Sequence, residues 1–86
     1  MITTSRYCSK ETIALAKKMA NEDNEKYISR AKKSFEKLVF LARILGESEV
    51  KIIEEKDSKP KKIVTIIVDA FGNWKWGEEV RIQETL

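Results

Sequence analysis

The run Ile63, Val64, Ile66, Ile67 and Val68 is nearly unbroken in β-branched residues. Such side chains are stiff at χ1 and suit a pleated strand better than a helix. Successive strand residues point to opposite faces, so this strand is apolar on both sides. A strand of that kind sits in the interior of a sheet covered on both faces. The rest of the chain must therefore supply neighbouring strands and helices to cover them.

Two segments have the helical period. After Ser9, a candidate N-cap, Ile13, Ala16, Met19 and Ala20 share one face, with Leu15 at its edge. Asn21–Asn24 ends that helix. After Ser34, a second candidate cap, Phe35, Leu38, Val39, Ala42 and Leu45 form a stripe that Leu41 and Ile44 widen, and Gly46 is the stop. Short strands are expected at Met1–Thr4 and Lys26–Ser29. Val50–Glu55 is a further strand, and Asp57-Ser58-Lys59-Pro60 is turn chemistry. Phe71-Gly72-Asn73-Trp74 turns into a last strand through Trp76 and on to Ile82, and Glu84–Leu86 is expected to fray.

The expected order is β-α-β-α-β-β-β: a single α/β domain over residues 1–86 with a mixed sheet. Alternation at the start implies right-handed crossovers and parallel pairing among the first three strands. The last strands join as antiparallel hairpins. Trp74, Trp76, Val80 and Ile82 are separated by even numbers of positions, which predicts a shared strand face that is either core or a homodimer surface.

Charge is unevenly spread. Residues 1–44 hold ten basic and five acidic side chains, net +5, whereas residues 45–86 hold seven and nine, net −2. A polyanion is thus expected to meet the first half. Ligands of such sheets gather beyond the carboxyl ends of the parallel strands. Two strand-to-helix turns arrive there, Ser5-Arg6-Tyr7-Cys8-Ser9 and Ser29-Arg30-Ala31-Lys32-Lys33-Ser34. Helix N-termini favour phosphate, and arginine grips it bidentately. Tyr7 can stack on an unpaired base. The candidate RNA-binding residues are Ser5, Arg6, Tyr7, Lys10, Arg30, Lys32 and Lys33.

Other chemistry finds little footing. Histidine is absent, Cys8 is the sole cysteine, and the glycines do not form a phosphate loop. No metal, cofactor or enzymatic activity is expected. Glu47, Glu49, Glu54, Glu55 and Asp57 look like solvated charges around an exposed hairpin. Met1–Thr4 leads into polar residues, and no apolar run approaches the roughly 18–20 residues of a membrane span. A cytoplasmic protein without membrane contact is expected. The alternative to RNA binding is a protein-interaction module that uses the acidic hairpin or the tryptophan-bearing strand.

Ile2-Thr3-Thr4-Ser5-Arg6 resembles the start of archaeal Brix-domain proteins. Tyr27-Ile28-Ser29-Arg30-Ala31-Lys32-Lys33-Ser34-Phe35-Glu36-Lys37-Leu38 is similar to that family's tyrosine, arginine-glycine-lysine, serine-leucine segment. Val50–Glu55, the turn to Pro60 and Ile63 follow in the same order. The chain resembles the first half of that domain, over about two-thirds of its own length. Ala31 stands where the family has glycine, and Cys8 where it has proline. The resemblance implies an anticodon-binding-domain-like fold, binding to ribosomal RNA or pre-rRNA in ribosome biogenesis, and ribosome-assembly proteins as further partners. It places Ser5, Arg6, Arg30 and Lys32 on motif positions.

Overall fold

A computed structural model describes residues 1–82. The expectation for Glu84–Leu86 lies outside the described residues. The elements are β1 (Ile2–Thr4), α1 (Lys10–Glu22), α2 (Phe35–Leu45), β2 (Glu49–Lys56), β3 (Lys59–Val68) and β4 (Trp74–Arg81). The strands form one sheet in the order β1-β2-β3-β4. β1 runs parallel to β2, and the other two pairings are antiparallel. The α/β class and the mixed sheet are as expected.

The order is not. The strand expected at Lys26–Ser29 shrinks to a single parallel bridge between Tyr27 and Ile2. Its two hydrogen bonds are Ile2 N–H to Lys26 O (2.8 Å) and Ile28 N–H to Ile2 O (2.9 Å). Alternate residues of a strand face each edge, so Thr4 O is the next acceptor along this one. Arg30 Nη1 donates to it at 3.0 Å, taking the place of a further strand amide. The ladder stops there, and the order becomes β-α-α-β-β-β.

Alternation along the central strands assigns the helices to opposite faces. Val50, Ile52, Ile66 and Val68 pack with Met1, Leu38, Val39 and Ala42 beneath α2. Ile53 packs with Ile2, Ala16 and Ala20 beneath α1, with Ile63 beside them. Local signals are met at both helix starts: Ser9 accepts from Thr12 N–H and Ser34 from Lys37 N–H. Gly46 ends α2 at φ 73°, a left-handed conformation that costs glycine little. Asp57 and Ser58 both have positive φ, the pattern of a two-residue type I′ hairpin turn.

Three packing expectations need correction. Thr12, not Ile13, is buried on α1, and Ile13 is half-buried. Leu45 and Ile44 are exposed, because the buried stripe of α2 ends at Ala42. The shared face of β4 does not exist. Ile66 pairs with Trp76 but Val64 pairs with Glu79, so β4 carries one extra residue across from β3. This β-bulge reverses the alternation. Trp74 lies on the α2 side, packed with Phe35, whereas Ile82 packs on the α1 side. Gly77 lies within the bulge, where a Cβ would come 2.8 Å from Ile67 Cδ1.

Candidate nucleic-acid interface

The two strand-to-helix turns meet at the carboxyl end of β1, and Arg30 is what joins them. Its side chain is only 5% exposed. Nε donates to Lys33 O at 2.8 Å, Nη1 donates to Thr4 O, and the guanidinium lies 5.1 Å from the Phe35 ring centroid. From the first turn, Arg6 Nε also donates to Lys33 O, at 3.3 Å. Lys33 Nζ donates to Ser29 O at 2.7 Å, closing the second turn on itself. Burial draws the Arg30 pKa down from the usual arginine value. The neighbouring Arg6 adds to this, and Glu54 opposes it.

Of the sequence-predicted residues, Arg6, Tyr7, Lys10 and Lys32 are exposed, and Ser5 and Lys33 are half-buried. Arg30 is the exception, since it is buried with Nε and Nη1 both on the protein's own carbonyls. Among the described residues, none of these cations lies within 4.0 Å of a carboxylate; the ion pairs involve Met1, Lys18, Lys51 and Lys62 instead.

The N-terminus of α1, expected to assist phosphate binding, is occupied by the protein itself. The Glu55 carboxylate accepts from Ser9 N–H (2.9 Å), Ser9 Oγ (2.6 Å) and Thr12 Oγ1 (2.8 Å). Burial pushes this carboxyl up, but the hydrogen bonds from the Ser9 and Thr12 side chains and the Ser9 amide hold it below the ordinary glutamate value. An internal anion at a helix N-terminus removes the donors and the positive dipole end that a ligand would use. Cys8 plays a structural part here, donating from Sγ to Thr4 Oγ1 at 3.1 Å.

The tertiary fold adds residues to this edge that the charge count concealed. β2 is parallel to β1, so its carboxyl end and the β2–β3 hairpin extend past the same end of the sheet; Ser5 N–H donates to Ile53 O there. The hairpin carries Lys56, Lys59 and Lys61, all exposed, and none makes an ion pair among the described residues. Its acids are largely engaged. Glu55 caps α1, and Glu54 lies 3.6 Å from Lys62, which is 2.6 Å from Glu79. The hairpin read as acidic thus presents a basic tip. The expected parallel pairing of β1 with β2 was the signal that could have revealed this.

No family model matches the chain, and no curated protein matches it. Solved structures do. Mil, an archaeal Imp4-like protein, superposes on 85% of this chain with a TM-score of 0.70 and 26% identity. The fold is Imp4-like. A probable ribosomal biogenesis protein from Aeropyrum pernix K1 superposes on 77% of the chain with a TM-score of 0.71 and 23% identity. The chain spans 45% of the first protein's length and 37% of the second's. The Brix-type resemblance read from the sequence agrees with both. In the Imp4-like fold of this chain, the edge just described is where exposed cations from three loops converge. No helix among the described residues is long and apolar enough to cross a membrane.

Proposed function

We propose that this chain is a non-catalytic RNA-binding module that engages ribosomal RNA or its precursor during ribosome biogenesis, in the cytoplasm. One observation carries the reading: exposed cations from three separate loops share one end of the sheet, without carboxylate partners among the described residues. Arg6 and Lys32 come from the two turns, Lys10 from the start of α1 just after the first, and Lys56, Lys59 and Lys61 from the hairpin. Ser5 and Lys33 support them, and Arg30 holds the turns in place. An edge of unpaired cations suits a polyanion, whose bound counterions it would release. The kinship in fold to a probable ribosomal biogenesis protein supplies the ribosomal context. The half-domain reading of residues 1–86 and the anticodon-binding-domain likeness belong to the same proposal.

The hairpin gives the test. Changing Lys56, Lys59 and Lys61 together to Ala should weaken RNA binding at every salt concentration. It should also lower the slope of log affinity against log salt by about 1 per lost phosphate contact. Lys18→Ala, on a residue paired with Glu22 on α1, should change neither. Equal losses in the two variants by filter binding would mean diffuse attraction and defeat the assignment.

A protein-interaction module is the second reading, and a different surface favours it. Phe40, Ile44 and Phe71 are exposed, the last to 85%. Phe40 and Ile44 border an open groove of about 550 Å³ with Arg43, Glu47 and Asp69 around it. Apolar patches with polar rims commonly take protein partners, here a ribosome-assembly protein. The acidic hairpin serves this reading less well, because Glu47, Glu54 and Glu55 are engaged and only Glu49 and Asp57 are exposed without an ion pair among the described residues. The homodimer expected through β4 loses its ground, because the bulge divides the four residues between two faces. Sedimentation equilibrium at micromolar protein should accordingly give a monomer mass, and a dimer lost on Trp76→Ser would restore the strand-face interface.

A further inference from the structure

Between the two turns lies a cleft of about 360 Å³, within the usual range of small-ligand sites. Tyr7 and Cys8 from the first turn, Ala31 and Lys32 from the second, and Ile13 and Tyr27 line it. We infer that this cleft seats one unpaired nucleobase of the bound RNA, stacked on Tyr7. The inference rests on the RNA-binding reading above and names the part of the RNA that the turns would hold.

Tyr7 is 85% exposed and has φ 55°. The left-handed region is unfavourable for a bulky side chain, and here no packing of the ring offsets the cost. Strain of this kind collects where a residue is held for a ligand. Ala31, which lines the same cleft from the second turn, also has positive φ (45°). Its side chain is a single methyl, so that wall is low and the slot stays open. Arg30 and Arg6 fix both turns through Thr4 O and Lys33 O, so the slot is formed before any ligand arrives.

The lining has two chemistries. Ile13 and Tyr27 give a half-buried and largely apolar lining, which suits the face or edge of an aromatic ring and not a phosphate. Lys32 lines the cleft and Arg6 adjoins Tyr7 in the chain; both are exposed and without carboxylate partners among the described residues. A flat aromatic group joined to an anion fits both, and a nucleotide is such a group. A base inside a duplex would first have to leave its stack. The fitting ligand is therefore single-stranded or bulged RNA.

The test uses a short RNA with 2-aminopurine at one position, whose fluorescence responds to stacking. The full chain should alter that signal when the RNA is single-stranded and leave it unaltered when the RNA is paired to its complement. Tyr7→Ala should abolish the signal change and weaken binding about 5- to 100-fold, the loss of one base–aromatic stack. Tyr7→Phe should retain both. A free nucleoside monophosphate should compete only weakly, and competition as strong as the oligonucleotide's would make this a free-nucleotide site and overturn the inference. RNA bound by Tyr7→Ala with wild-type affinity and signal would also overturn it, while leaving the RNA-binding reading intact. A wild-type chain that bound no RNA at any salt concentration would end both.

Discussion

Replacing Arg30 with alanine should destabilise the fold by about 2–4 kcal/mol, instead of acting on RNA affinity alone. Hydrogen bonds from charged donors contribute about 1.5–3 kcal/mol each, and unsatisfied buried acceptors are costly. Arg30 makes two such bonds, to Thr4 O and Lys33 O. Its contact with Phe35 adds a cation–π attraction. Removing the buried guanidinium also relieves its own desolvation, so the net cost lies below the sum. A domain of this size is stable by only about 4–13 kcal/mol, at 0.05–0.15 kcal/mol per residue. The loss is therefore a large fraction of the whole. Arg30→Lys should not restore stability, because a single ammonium cannot reproduce the planar fork across two carbonyls. Arg6→Ala, on an exposed residue, should shift the urea midpoint far less. Superimposable urea curves for Arg30→Ala and wild type would remove Arg30 as the clamp between the turns.

Glu55→Ala should cost about 2–3 kcal/mol, although the residue reads as a surface charge in the sequence. The substitution strips the partner from one amide and two hydroxyls, and Thr12 is fully buried. It also removes a carboxylate from the positive end of α1. The pH dependence follows from the lowered carboxyl pKa. Because the folded value lies below the ordinary 4.5, Glu55 contributes its full stability above 4.5 and loses it as the pH falls through the folded value. Glu25 behaves alike. Burial pushes its carboxyl up, and Lys51 together with the N-terminal ammonium holds it below 4.5. Wild type should therefore weaken on acidification below 4.5, and Glu55→Ala should weaken less steeply. Urea midpoints near neutrality and well below 4.5 read both effects. Parallel pH curves for the two proteins would mean that the carboxylate contributes nothing to α1.

Much of the local structure was legible in the chain. Ser9 and Ser34 cap their helices, Gly46 ends α2, and the β-branched run becomes an interior strand covered by a helix on each face. Those features depend on residues a few positions apart, so short windows of sequence contain their causes. The convergence of the two turns was also expected, although only a single parallel bridge between Ile2 and Tyr27 remains of the second strand on which that expectation rested. Arg30 shows where such reading stops. As a basic residue in a turn it looks like a ligand contact, yet its partner Thr4 lies 26 positions away. Glu55 likewise meets Ser9 across 46 positions.

The sequence by itself determined the helices, their caps, the interior strand and the class of fold. Tertiary structure alone decided which charges are free. It buried Arg30, turned Glu55 inward, paired Lys62 with Glu54 and Glu79, and left the hairpin lysines at the same end of the sheet as Arg6 and Lys32. It also set the bulge that divides β4 between two faces. The physical reason is that secondary structure is governed by nearby backbone and side-chain preferences. The fate of a charge or a strand face is governed by whichever distant group the register brings within hydrogen-bond reach.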